Sequence, residues 1–176
     1  NLGIFGVELF FVLSGFLIGG ILIRTFTNVE DFTFNEVWNF WIRRWFRTLP
    51  NYWLILTVSF IVYHVILKWD PFQLNYLKGY LFLQNLRYPN ILYAFPEGWS
   101  LSVEEWFYLT LPVIVFTAYK IIRPVNKSRF LIGIFVSYLL LFLVIRFFNA
   151  FAPLNGRDPD EGIRKVVLFR LDAVMY

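Results

Sequence analysis

The 176 residues contain no cysteine, and the only histidine is His64. The first absence excludes disulfides, thiolate nucleophiles and cysteine metal sites. The second excludes a multi-histidine metal centre within this chain. Charge is scarce as well: Asp, Glu, Lys and Arg make up 16% of the residues, where an average soluble domain has about 25%. No RNA- or DNA-binding motif is present, so the net charge of +4 is read loop by loop as a report on membrane orientation.

Apolar residues take the place of the missing charge. Hydrophobic residues make up 59% of the chain, aromatic residues 22%, and the mean hydropathy is +0.60. A soluble core cannot enclose that proportion, so the chain reads as an all-α, polytopic bundle of transmembrane helices. Four runs suffice, or nearly so, for a hydrocarbon core that takes about 20 helical residues: Ile4 to Ile23, Tyr52 to Leu67, Leu101 to Ile122 and Phe130 to Phe148. A fifth, Phe72 to Leu86, carries Gln73, Asn75, Lys78, Gln84 and Asn85, which suits a short interfacial or re-entrant segment. Residues 1–176 form a single membrane domain. Its start at Asn1 without a Met, close to an apolar run, and its stop at Tyr176 inside another are read as truncation at both ends.

Basic residues collect between the first and second runs (Arg24, Arg43, Arg44, Arg47) and between the third and fourth (Lys120, Arg123, Lys127, Arg129). The rule that positive loops stay inside makes both connections cytoplasmic, provided that 72–86 does not cross. FTFNEVWNFWIRRWFRTLP projects Phe34, Trp38, Trp41, Ile42, Trp45 and Leu49 onto one helical stripe, with Glu36, Arg43 and Arg47 opposite. That pattern predicts an amphipathic helix in the interface, ended at Pro50 or followed there by the next span. Arg43, Arg44 and Arg47 fall within an arc of roughly 100°. Such a fork suits phosphate or carboxylate oxygens. It equally suits anchoring on lipid headgroups, and both readings stay open.

Glu104 and Glu105 open an apolar stretch, WSLSVEEWFYLTLPVIVFTAYKII, where ionised groups need a partner, a pathway or a chemical task. Trp99 reads as an interfacial anchor, and Ser102 with Glu105 fits a capping box. Glu104 then points elsewhere, to the side of Ser100 and Tyr108. Glu8 poses the same question near the outer end of the first run, and His64 reads as interfacial. Arg170 and Asp172 are close without the i,i+4 spacing of a helical ion pair. NGRDPDEG lacks the ligand spacing of an EF-hand and reads as a connector.

Five segments together resemble the membrane-bound acyltransferase-3 family, in the family's order: GIFGVELFFVLSGFLI (Gly3 to Ile18), RRWFRTLPNYW (Arg43 to Trp53), FLQNL (Phe82 to Leu86), GWSLSVEEWFYLTLP (Gly98 to Pro112) and RLDAV (Arg170 to Val174). The resemblance implies an integral, multi-pass enzyme of the bacterial inner membrane. Such enzymes transfer an acyl group, often acetyl, from an acyl-CoA-type co-substrate to a hydroxyl of a sugar, a lipid-linked glycan or another envelope acceptor. No tightly bound cofactor, metal or nucleic acid is expected, and membrane lipids are partners. The family's R-x-x-R element falls on Arg44 and Arg47, implying donor binding there with Arg43. Its acid falls on Glu104 in a supporting role with Glu105 beside it, and its buried polar positions fall on Ser14 and Asn85. Glu8 stands where the family commonly has Asp, and Trp106 where it has Gln. The family's proposed catalytic His lies in a helix before Gly3, outside this chain, and His64 does not align with it. Composition and topology alone fit a transporter or lipid-binding membrane protein equally well. A glycosyltransferase would be expected to show an acid motif on a soluble loop, and none is evident.

Overall fold

The computed structural model describes residues 2–66, 68, 75–86, 95, 98–150 and 165–175. Among these the secondary structure is entirely helical, in five α-helices: α1 (Leu2–Asn28), α2 (Phe34–Ile61), α3 (Asn75–Tyr80), α4 (Gly98–Ile122) and α5 (Lys127–Ala150). Four helical stretches, Phe5–Asn28, Phe34–Ile66, Gly98–Ile122 and Lys127–Phe148, are long and apolar enough to cross a membrane. The bundle expected from the sequence is therefore present, and the chain is an integral membrane protein. The NGRDPDEG connector lies outside the described residues.

The second span departs from expectation. Pro50 lies inside α2, which continues into a π-helical turn at Val62–Ile66. The amphipathic segment and the following span are thus one helical rod. Its 33 residues measure about 50 Å at 1.5 Å per residue, against a hydrocarbon core of about 30 Å. Roughly 20 Å of its length remains for the membrane boundary, enough to hold the segment from Phe34 to Arg47. Thr33 and Glu36 start the rod with a capping box, which satisfies amides the helix itself leaves unpaired. The predicted aromatic stripe exists as a ladder of rings, with Trp41 stacked on Trp45 at 5.7 Å and Trp38 edge-on to both. Its buried member, Trp41, donates its indole N–H to the carbonyl of Tyr108 at 3.0 Å. The stripe therefore packs partly on α4, where the sequence pattern pointed to an amphipathic helix in the interface.

The chain ends of the helices confirm that the two basic connections share one side. Lys120 near the end of α4 meets Asp31 in the α1–α2 connection at 3.1 Å, and Lys127 at the start of α5 donates to the carbonyl oxygens of Val29 and Glu30. The hydrogen bond from Lys120 holds the Asp31 carboxyl below its ordinary range. Arg123 closes α4 with a left-handed φ of 46° and a hydrogen bond from its backbone N–H to the Tyr119 carbonyl at 2.9 Å, and Pro124 prevents continuation. Phe26, Phe32 and Tyr119 seal this end with edge-on ring contacts.

At the other end, α3 has six residues, about 9 Å, too short to cross. The turns after it carry Gln84 and Asn85, both buried. Asn85 donates to the carbonyls of Trp99 at 3.0 Å and Lys165 at 2.9 Å, and its own carbonyl accepts the Val167 amide at 2.9 Å. It ties the start of α4 to the first of two 3₁₀ turns, Val167–Phe169, which is followed by the second, Leu171–Met175. Those turns wedge against α1, α4 and α5. A Cβ on Gly15 of α1 would lie 1.6 Å from the carbonyl oxygen of Val174, whereas Gly19 and Gly20 have nothing within 4 Å. Gly15→Ala is expected to lower the melting temperature of the detergent-solubilised protein by several degrees. Gly19→Ala and Gly20→Ala should leave it equal or slightly higher, since alanine is favoured over glycine in a helix by roughly 0.5–1 kcal/mol. Equal melting temperatures for all three variants would refute the wedge.

Candidate functional site

Three helices bring the site together, each through one polar residue on its buried stripe. On α1 the buried positions Phe11, Ser14, Ile18 and Leu22 recur at helical spacing. On α4 Glu104, Tyr108, Leu111 and Val115 do the same. The α2 face towards them carries Val37, Trp41, Arg44, Thr48 and Tyr52. Their meeting point is Glu104, which is 1% exposed and whose Oε1 accepts from Ser14 Oγ, Tyr108 OH and Arg44 Nη2, the last at 2.7 Å. The same Arg44 nitrogen donates to Tyr108 OH at 2.7 Å, and its guanidinium lies 4.0 Å from the centre of the Tyr108 ring.

Burying a carboxylate is tolerable only with a partner and enough donors. Glu104 has both. The partner is Arg44. Glu105 faces α2 instead: its Oε1 accepts from Thr48 Oγ1 at 2.9 Å, while Oε2 is buried with no partner. The expected capping box at Ser102 and Glu105 is absent, because α4 already begins at Gly98. Ser102, a full turn inside the helix, bonds the Gly98 carbonyl at 3.1 Å and accepts from Gln84. Trp99, expected at an interface, is 6% exposed and edge-on to Phe11.

A groove of about 1560 Å³ runs between α1 and α2 down to Glu104. Its α2 wall is polar: Asn39, Arg43, Arg47 and Asn51 recur every fourth residue, with Glu36, Arg44 and Thr48 alongside. Its α1 wall is apolar from Phe10 to Ile23, interrupted by Ser14, and ends in Arg24 and Thr25. The arginine fork therefore divides. Arg44 turns into the core and is bound by Glu104 and Tyr108. Arg43 and Arg47 are exposed, line the groove and make no ion pair among the described residues. Ser14 lines the groove as well as bonding Glu104. Asn85 and Glu105 do not line it; the first ties loops to α4 and the second ties α4 to Thr48. Glu8 pairs with buried Arg170 at 2.5 Å. His64 is exposed on the π turn and stacks on Phe60, and no group of His, Asp or Glu side chains able to hold a metal occurs among the described residues.

Sequence reasoning did not assign Tyr108, Thr48 or Gln84 to the site. Helical spacing held a signal for two of them: Tyr108 is one turn after Glu104, and Thr48 one turn after Arg44. Removing one member of a buried ion pair strands the other, at about 3–5 kcal/mol. Glu104→Gln and Arg44→Ala should each unfold at clearly lower denaturant or temperature than the parent. The double change Arg44→Ala, Glu104→Gln should lose less than the two singles combined. Additive losses would mean that the pair is not coupled.

Comparison with known proteins gives one consistent picture. A family profile described as "Acyltransferase domain" matches residues 1–159. The putative peptidoglycan O-acetyltransferase YrhL of Bacillus subtilis is 31% identical over 174 residues, covering 92% of this chain and 26% of that protein. The peptidoglycan O-acetyltransferase OatA of Listeria monocytogenes is 30% identical over 148 residues, 75% of this chain and 23% of that protein. The O-acetyltransferase OatA of Staphylococcus aureus is 29% identical over 157 residues, 82% of this chain and 25% of that protein. The chain thus spans about a quarter of the length of these relatives. No solved structure matches it.

Proposed function

This chain belongs to the acyltransferase-domain family, and on that premise we propose that it forms the membrane core of an O-acyltransferase of the bacterial inner membrane. The acyl group, acetyl in the first instance, moves from an acyl-CoA-type donor to a hydroxyl of an envelope glycan. The acceptor class follows the relatives named for peptidoglycan O-acetylation. The observation that carries the donor assignment is the groove. Two arginines one turn apart, Arg43 and Arg47, stand on its polar wall with no ion pair among the described residues. One end of it is lined by Arg24, Thr25 and Glu36, next to the α1–α2 connection, on the side that the charge rule makes cytoplasmic. Soluble acyl-CoA would enter there.

In the transfer itself the acceptor oxygen attacks the thioester carbonyl and the carbon–sulfur bond breaks. The hydroxyl proton leaves through a base and reaches the departing thiolate. Such a reaction gains most from holding donor and acceptor in register, with positive groups on the donor's phosphates. Arg43 and Arg47 supply those groups. Glu104 acts through Arg44: it ties up the one arginine of the fork that it pairs with, and so sets the rotation of α2 that presents Arg43 and Arg47. A transporter or lipid-binding role is disfavoured by the family match.

The test uses membranes carrying the protein and radiolabelled acetyl-CoA. Arg43→Ala, Arg47→Ala should raise the donor KM at least tenfold, since a hydrogen bond to a charged group contributes about 1.5–3 kcal/mol. Its insertion and melting temperature should be close to the parent's, because neither residue belongs to the Glu104 cluster. An unchanged donor KM at normal expression would remove the donor site from this helix. Absence of label transfer from any acyl donor, with correct insertion, would remove the enzymatic reading.

A further inference from the structure

Arg24 was read from the sequence only as a marker of orientation, yet it is the one charged residue that α1 contributes to the groove. Its side chain is exposed and makes no ion pair among the described residues. The acid that the opposite wall places nearest to it in sequence is Glu36, whose Oε2 accepts from the Thr33 amide at 2.8 Å and from the Thr33 hydroxyl; it makes no ion pair with Arg24. Arg24 therefore stands at the mouth of the groove as an unneutralised cation.

Position gives this cation a specific meaning. Arg24 is ten residues beyond Ser14 on α1, about 15 Å along the helix axis. Ser14 touches Glu104, and Glu104 touches Arg44. The groove thus has an inner basic level, where Arg43 and Arg47 flank Arg44, and an outer one at Arg24. Between them the α1 wall offers only apolar side chains and glycines, Ile18, Gly19, Gly20 and Ile21 among them. The ligand that fits is elongated, with an apolar flank and with anionic groups at two separated levels. A lone phosphate or a short acyl phosphate would reach only one.

We propose that Arg24 is a specificity-determining residue of the donor site, binding an outer phosphate that is remote from the transferred acyl group. The proposal rests on the donor reading above and deepens it: the preferred donor carries its acyl group on a handle with a further phosphate beyond the inner pair. In acetyl-CoA that group is the ribose 3′-phosphate. A lipid headgroup phosphate offers Arg24 the same chemistry, so the experiment separates the two sources.

Initial rates are measured for acetyl-CoA and for 3′-dephospho-acetyl-CoA, with the parent protein, Arg24→Gln, Arg24→Lys, and the Arg43→Ala, Arg47→Ala double variant, all in nanodiscs. The expected result is a KM for acetyl-CoA about tenfold higher in Arg24→Gln. The KM for the dephospho donor should agree between parent and variant within twofold, and Arg24→Lys should recover part of the loss. A rise of equal size for both donors, or for neither, overturns the proposal. So does a change confined to the dependence of thermal stability on phosphatidylglycerol content, which would assign Arg24 to lipid headgroups. If the Arg43, Arg47 variant also leaves both KM values unchanged, the donor reading itself falls. If that variant responds and Arg24→Gln does not, the donor reading stands and only the role of Arg24 is lost.

Discussion

One buried ion pair holds this arrangement together. Glu104 and Arg44 meet at 2.7 Å in a region whose other neighbours are aromatic and aliphatic. A charge there is stable only with its partner and its donors in place. Because the donors come from α1 (Ser14), α2 (Arg44) and α4 (Tyr108), satisfying one carboxylate fixes three helices relative to each other. Apolar packing in a membrane is poorly directional, since lipid tails are as apolar as leucine. Polar contacts of this kind specify which faces meet.

The same pair also shapes the groove. Arg43, Arg44 and Arg47 share one sector of α2, and anchoring the middle one decides where the other two go. Trp41, one turn earlier, adds a second fixed point through the Tyr108 carbonyl. Rotation of α2 is thus set at two points by two residues of α4 one turn apart, Glu104 and Tyr108. The polar row Asn39, Arg43, Arg47, Asn51 is left facing a wall of α1 side chains that cannot compete for its hydrogen bonds. An interior with one polar and one apolar wall is suited to a ligand that is itself two-sided.

Much of this was legible in the sequence, for physical reasons. Spans and helical class follow from long apolar runs, and the common side of the two basic connections follows from Lys and Arg placement, which the Lys120–Asp31 contact bears out. The separation of Arg43 and Arg47 from the aromatic stripe follows from helical period. Other features were not legible because they depend on partners distant in sequence. Pro50 signalled a break, but it sits inside α2. Ser102 and Glu105 had the spacing of a capping box, but Gln84 and Thr48 claim them from other segments. Arg44 looked equivalent to its neighbours until Glu104, sixty residues away, distinguished it. The Glu8–Arg170 pair likewise joins residues that local spacing could not connect.

That last pair, with the contact of Gly15 and Val174, bears on how the protein is made. Glu8 and Arg170 are 162 residues apart. At a synthesis rate of about 5–20 residues per second, roughly 8–32 seconds pass between their emergence. Throughout that interval the Glu8 carboxylate and the Gly15 face of α1 lack the partners they have in the finished fold. The seat of α1 is thus completed only when a segment 162 residues further along has been made, so this part of the bundle closes late and over a long stretch of chain.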